Sequence, residues 1–202
     1  MSNVVLESPL APLTGLGQRV LSVDGANVTL GELPFTDMLN IRGNAADAGF
    51  VHAVQQATGL ALPLVANTAT LGEPGQLLWL GPDEWVLKFT PSGAHYQHPG
   101  PAQAMEATLR SALAGQHVSL VPVGHGFSTL TVRGAGAADL LARGCPLDLH
   151  PRAFGAGAVA QSHVAKAGAT LLCLAPGTHF ELTVRRSFAD YLYRWLCEAG
   201  AA

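Results

Sequence analysis

Charge is what this sequence has least of. Only 12% of its 202 residues are Asp, Glu, Lys or Arg, about half the ~25% usual in soluble domains. The 11 basic residues are scattered, Arg185-Arg186 is the sole adjacent pair, and the net charge is −3. That excludes the basic stripe nucleic-acid binding requires. No apolar run approaches the ~18 residues of a membrane span. The segment Met1-Ser2-Asn3-Val4-Val5-Leu6-Glu7 lacks the basic start and long apolar core of a secretory leader. The expectation is a cytoplasmic protein that engages neither membrane nor nucleic acid. Cysteine is also scarce. Cys145, Cys173 and Cys197 form no Cys-x-x-Cys pair, which removes a zinc ribbon and a disulfide framework. Cys173 and Cys197 stand among apolar neighbours and read as small core residues. Gly-x-Ser-x-Gly is missing too, and with it the nucleophile elbow of a serine hydrolase.

What is present is apolar and full of turns. Hydrophobic residues make up 49% of the chain, with 23 Gly and 13 Pro. A compact protein so short of charge has some apolar surface to cover, and partners usually cover it. The plainer reading is that abundant Ala and Gly inflate the figure.

Taken in order, residues 1–19 read as an irregular lead-in. Val20–Val23 and Val28–Leu33 flank Asp24-Gly25, a hairpin signal. Met38–Arg42 reads as a strand. Asn44 is a candidate N-cap, with Asp47 three residues on, for a helix carrying Phe50, Val51, Val54 and Thr58 on one face and stopping at Gly59. Strands around Trp79 and Trp85 flank the turn Gly81-Pro82-Asp83-Glu84, and both tryptophans read as core or interface anchors. Met105, Leu109, Ala112 and Leu113 mark a second helix ending at Gly115. The pattern then returns. Leu130-Thr131-Val132-Arg133-Gly134 echoes Leu39-Asn40-Ile41-Arg42-Gly43 at an offset of 91, and the hairpin around Pro176-Gly177 follows its counterpart at an offset of 94. A last helix from Phe188 to Ala199 has a capping-box pattern at Ser187 and Asp190, with Phe188, Leu192, Trp195 and Leu196 on its apolar face. The expected fold is α+β, with duplicated strand–helix–hairpin–helix units and antiparallel sheets. Residues 1–36 form an arm and hairpin, 37–116 the first repeat and 117–202 the second, in one compact unit.

The densest segment is Gly144-Cys145-Pro146-Leu147-Asp148-Leu149-His150-Pro151-Arg152-Ala153-Phe154, which the first repeat does not match. Gly144 is suited to a left-handed helix end, and Pro146 prevents the helix from resuming. In an extended chain Leu147 and Leu149 face one way while Asp148, His150 and Arg152 face the other, about 6.6–7 Å apart. An acid, an imidazole and a guanidinium on one face are compatible with catalysis, an interface or a structural crossover. Cys145 is the one nearby nucleophile, but it precedes Pro146 and has no base at a suitable spacing, so catalysis is the least supported of the three. Elsewhere, His95 and His98 suggest at most a weak surface metal site. His125 reads as part of the turn between strands 118–123 and 127–133. Gly134-Ala135-Gly136 has the strand-to-helix setting of a phosphate loop, without the remaining glycine or a lysine, and a tight turn accounts for it.

The run Gly144–Phe154, followed by Gly157-Ala158-Val159-Ala160-Gln161, resembles the signature of the gamma subunit of heterotetrameric sarcosine oxidase. Arg186-Ser187-Phe188-Ala189-Asp190-Tyr191-Leu192 with Trp195-Leu196, Trp79-Leu80-Gly81-Pro82-Asp83-Glu84-Trp85, and Ser8-Pro9-Leu10 are similar to other parts of that family. The sequence departs from the family at Val121-Pro122-Val123-Gly124-His125, where an Asp and a Ser more often precede the His. The resemblance implies a fold like the folate-binding domain of the glycine-cleavage aminomethyltransferase. It further implies a non-catalytic subunit of a complex that oxidatively demethylates sarcosine to glycine, with tetrahydrofolate as one-carbon acceptor. Its partners would be the alpha, beta and delta subunits, chiefly alpha. FAD, FMN, NAD and zinc would be bound by other subunits and none by this chain. The candidate interface or structural motif is then Cys145, Pro146, Leu147, Asp148, Leu149, His150, Arg152 and Phe154. The alternative is a stand-alone folate-binding or aminomethyltransferase-like protein.

Overall fold

Apolar alternation sets the strands, and turn residues end them. The computed structural model describes residues 7–14, 18–91 and 100–201; His95 and His98 lie outside these. After a short helix, α1 (Ala11–Thr14), strands β1 (Arg19–Val23) and β2 (Ala26–Glu32) form the expected hairpin. Asp24 and Gly25 both have positive φ, 49° and 83°, as a two-residue turn matched to strand twist requires. The chain continues through β3 (Met38–Arg42), α2 (Ala48–Thr58), β4 (Ala69–Leu71), β5 (Gly75–Gly81), β6 (Glu84–Phe89), α3 (Pro101–Ala112) and β7 (Ser119–Pro122). A single 3-10 turn at Gly124–Gly126 precedes β8 (Phe127–Arg133), α4 (Ala137–Ala142), β9 (Val159–Val164), β10 (Ala167–Ala175), β11 (His179–Arg185) and α5 (Arg186–Ala199).

These elements divide into two compact units: a continuous one, Thr36–His125, and a composite one, Met1–Phe35 with Gly126–Ala202. The continuous unit has a sheet in the order β4-β5-β6-β3-β7. The composite unit has β1-β2-β8-β11-β10-β9. All pairings are antiparallel. The duplication is plain in the topology. β4-β5-β6-β3 corresponds to β9-β10-β11-β8, with a helix after the first strand and another after the last. Each repeat also has an edge strand before its hairpin, β4 or β9, beyond the expected strand–helix–hairpin–helix plan. The strand preceding each repeat is exchanged: β2 precedes β3 but pairs with β8, while β7 precedes β8 but pairs with β3.

The continuous unit packs α2 and α3 over its sheet around fully buried Leu39, Ile41, Leu77, Trp85, Leu87 and Leu109. The Trp85 ring lies 5.7 Å from that of Phe50, and its indole Nε1–H donates to the Pro63 carbonyl at 2.8 Å. An anchor with both apolar body and polar tip satisfied is the expectation for a buried tryptophan. Buried Asp37 caps α3 from a distance: one carboxylate oxygen accepts from Ala102 N at 2.9 Å and the other from Met38 N at 3.1 Å. The composite unit packs α5 on its sheet through Leu192 and Leu196, against Leu130, Leu171, Phe180 and Leu182.

Three local expectations need correction. Asp47, rather than Asn44, is the N-cap of α2. Its carboxylate accepts from Gly49 N and Phe50 N at 2.8 and 3.3 Å, while Asn44 Oδ1 accepts from Ala46 N. Ser187 and Asp190 form no capping box, because α5 begins at Arg186 and Asp190 instead pairs with Arg194 at 3.0 Å. Phe188 is 42% exposed and does not lie on the buried face of α5.

Candidate functional site

The segment between α4 and β9 starts where Arg143, at the end of α4, donates to the Ala199 carbonyl and pairs with Asp24 at 3.0 Å. Cys145 N donates to Leu141 O at 2.9 Å, closing the last helical turn. Gly144 does not adopt the left-handed conformation expected of it. Its glycine is needed for space instead: a β-carbon there would overlap the Trp195 ring. Its carbonyl accepts from Ala165 N at 2.9 Å, fixing the crossover to the start of β10's turn.

From Leu147 to His150 the expected alternation holds, and it extends back to Cys145. Cys145 and Leu149 are buried and Leu147 half-buried, whereas Pro146, Asp148 and His150 are exposed. It stops at His150. Ala153 N and Phe154 N both donate to the His150 carbonyl, at 2.8 and 2.9 Å, so Pro151, Arg152 and Ala153 make a turn rather than a strand. Arg152 is therefore not the third member of a straight polar row. The turn brings Phe154 inward, where it stacks on Phe180 at 6.3 Å and 22°. Pro151 packs against the β10–β11 turn at Gly177. The far end of the crossover is hydrogen-bonded to β10: Gly157 N donates to Cys173 O and Cys173 N to Ala158 O, at 2.8 and 3.0 Å.

The two polar side chains with catalytic potential are engaged with backbone. Asp148 Oδ1 accepts from His150 N at 3.0 Å, and His150 Nδ1 accepts from Arg152 N at 3.2 Å. These are self-capped turns of the kind Asp favours. Cys145 is a buried free thiol in the same core. Cys145, Leu149 and Phe154 thus hold the crossover down, Leu147 packs at its margin, and Pro146, Asp148, His150 and Arg152 form its outer edge. Trp195, Phe180 and Pro151 complete this arrangement; the sequence marks Trp195 as a helix-face residue and Pro151 as part of the run, but not these contacts. The Phe154–Phe180 and Gly144–Trp195 contacts span 26 and 51 residues and leave no local pattern there.

The other candidates resolve simply. Around Gly134-Ala135-Gly136 three backbone donors are engaged: Gly134 N with Thr178 O, Ala137 N with Gly134 O, and Ala138 N with Gly177 O. Gly134 has φ +126°, and a β-carbon there would overlap the Asn27 carbonyl. It is a tight strand-to-helix turn. Among the described residues no three His, Cys, Asp or Glu side chains cluster as for a metal, and no helix is long and apolar enough to cross a membrane. A surface cavity of about 290 Å³ beside α5 is lined by Leu13, Arg19, Tyr193, Arg194, Cys197 and Glu198. It is at the small end of ligand-sized pockets, and Arg194 is already paired with Asp190.

Comparison with known proteins bears on the family and the fold. A model of the sarcosine oxidase, gamma subunit family matches residues 42–202. Sarcosine oxidase subunit gamma of Corynebacterium sp. (strain U-96) is 30% identical over 199 residues, covering 98% of this chain and 91% of that protein. The protein of the same name from Arthrobacter sp. is 30% identical over 204 residues, at 98% and 94% coverage. A chain of heterotetrameric sarcosine oxidase from Corynebacterium sp. U-96, solved in complex with pyrrole 2-carboxylate, superposes with a TM-score of 0.80 at 29% identity, covering 98% of this chain and 95% of that one. The glycine cleavage system aminomethyltransferase T from Bartonella henselae shares the fold, with a TM-score of 0.63 at 16% identity over 98% of this chain and 59% of that one.

Proposed function

The chain belongs to the sarcosine oxidase gamma subunit family, and from that premise we propose that it is a non-catalytic subunit that stabilises a heterotetrameric oxidase by docking on the alpha subunit. The complex, with its beta and delta subunits, would demethylate sarcosine oxidatively to glycine in the cytoplasm and pass the one-carbon unit to tetrahydrofolate. FAD, FMN, NAD and zinc would lie in the other subunits. The observation that carries this reading is the end-to-end match, 98% of this chain against 95% of a chain of a heterotetrameric oxidase. The crossover fits as scaffold, since its acid and imidazole shape their own turn.

A second reading, a stand-alone folate-binding or aminomethyl-transferring protein, draws on the shared fold. This chain spans only 59% of that aminomethyltransferase. Co-expression with the other three subunits and affinity purification through this chain tests the choice. Co-elution with a flavin-bearing partner and no tetrahydrofolate binding by the isolated chain is the expected result. Tight folate binding or turnover by the chain alone would overturn it.

A further inference from the structure

The cavity beside α5 lies within the composite unit and joins three of its elements. Leu13 of α1 supplies an apolar wall, Arg19 stands at the start of β1, and Tyr193, Arg194, Cys197 and Glu198 come from α5. Its floor is buried: Tyr193 is 5% and Cys197 7% exposed, and their side chains are hydrogen-bonded to each other. Burial raises the Tyr193 pKa, Cys197 adds to this, and Arg19 opposes it. The phenol therefore keeps its proton at neutral pH, and the Arg19 guanidinium is close enough to act on it.

The charges that line this cavity are not all engaged. Arg194 stands four residues from Asp190 and four from Glu198. It turns to Asp190, donating through Nε to both carboxylate oxygens at 3.1 and 3.0 Å. That is the favoured order, with the acid N-terminal to the base. Glu198 is left with no side-chain partner among the described residues, and the Arg19 guanidinium has none either. By contrast, Arg42, Arg110 and Arg143 each hold a carboxylate. A lone exposed charge is ordinary. An unpaired cation and an unpaired anion in one recess, beside a buried phenol and an apolar wall, form a donor set for a molecule carrying both charges.

We infer that this cavity binds a small zwitterion of the amino-acid type, with its carboxylate on Arg19, its ammonium on Glu198 and its hydrocarbon part against Leu13 and Tyr193. A guanidinium meets a carboxylate through two parallel donors, and both contacts are charge-assisted. The volume of about 290 Å³ falls just below the range of about 300–1,000 Å³ that holds drug-sized molecules, and it suits one small apolar amino acid. Such a site belongs to the composite unit alone and does not depend on how the chain assembles.

Titrating the purified full-length chain with leucine tests this, read as a dissociation constant and as slowed hydrogen exchange in peptides from β1 and α5. Leucinamide lacks the carboxylate and isocaproate lacks the ammonium. Leucine is expected to slow exchange in both elements, and each single-charge analogue to bind about tenfold more weakly or worse. Arg19→Gln and Glu198→Gln change exposed side chains, and each should weaken leucine binding by a similar factor, with melting as the check on folding. Should either melt early, Leu13→Trp, which fills the cavity, takes its place with the same expected loss. No binding of leucine to wild type at millimolar concentration would overturn the inference, and so would wild-type affinity in both glutamine variants. Isocaproate binding as tightly as leucine would make this a site for simple acids, with Glu198 idle, and would overturn it as well.

Discussion

Gly59 and Gly144 follow α2 and α4 at corresponding places in the two repeats, and different forces keep them glycine. Gly59 has φ +72° and caps its helix by donating to Gln55 O at 2.8 Å. Gly144 is not left-handed; it yields space to the Trp195 ring. The paths then diverge. The loop after Gly59 reaches β4 with Leu60 and Leu62 buried and accepts the Trp85 indole at Pro63. The crossover after Gly144 is longer, folds a turn at His150 and inserts Phe154. Duplicated architecture thus fixes where a connection begins and ends. Its interior is set by the aromatic side chain each core must seat.

The comparison is broken or sharpened first at those aromatics. Trp85→Ala and Phe154→Ala should each destabilise by about 3–5 kcal/mol, as large core deletions do, measured by urea unfolding. A cost below about 1 kcal/mol for Phe154→Ala would mean that the crossover is not part of its unit's core. The glycines come next. Gly144→Ala should cost about 1–3 kcal/mol through overpacking, and a second change, Trp195→Leu, should recover part of it. Gly59→Ala should cost about 1 kcal/mol through backbone strain, and trimming a neighbouring side chain should not relieve it. Equal rescue of both would erase the distinction.

The smallest effect lies at a third corresponding pair. Arg42 and Arg133 end β3 and β8, each opposite the start of a hairpin strand, with register Arg42↔Glu84 and Arg133↔His179. Arg42 forms an ion pair with Asp83 at 2.9 Å, both side chains about half exposed, and such pairs contribute about 0–1 kcal/mol. Arg133 Nε donates to His179 Nε2 at 2.9 Å, which requires an unprotonated imidazole nitrogen. Burial lowers the His179 pKa, the Arg133 charge adds to this, and Glu181 opposes it. A histidine with a depressed folded pKa binds its proton more readily when unfolded. The stability it confers is therefore present above the ordinary value of 6.5 and is lost as pH falls below it. Melting across pH 7.5 to 5.5 should show wild type losing stability, with His179→Gln flattening that slope and Asp83→Asn leaving it unchanged. An identical slope in His179→Gln would remove the imidazole from this account.

Much of the fold was readable from sequence because its signals are local. Met38–Arg42 alternates between Gly- and Pro-bounded ends, Asp24-Gly25 specifies its hairpin, and the echo of Leu39–Gly43 at Leu130–Gly134 reveals the duplication. Helix starts were less legible. Asn44 and Asp47 are both good caps, and only the backbone's entry angle selects Asp47. Ser187 has the right partner three residues on, but the helix begins a residue earlier, at Arg186, directly from β11. Edge strands β4 and β9 are short or rich in small and polar residues, with little alternation to find. At the crossover, the inward placement of Leu147 and Leu149 followed from alternation, and the burial of Cys145 extends it by one step. Its termination did not, because the turn at Pro151 depends on Phe154 finding Phe180. The exchange of β2 and β7 has no local trace, since Thr29 pairs with Arg133 more than a hundred residues away.

That exchange also orders events during synthesis. The continuous unit, Thr36–His125, has all its strands once β7 has emerged from the ribosome, so it can close while the chain is still growing. The composite unit cannot. Its hairpin β1–β2 is made first, with Leu21, Val23, Val28 and Leu30 destined for a core that β8, β10, β11 and α5 will supply last. Domains tend to fold as they are completed, and pairing over long separations is slow. The β1–β2 hairpin, made early, is thus the last to find its place, and its apolar face stays open to chaperones or to neighbouring chains until α5 has been made.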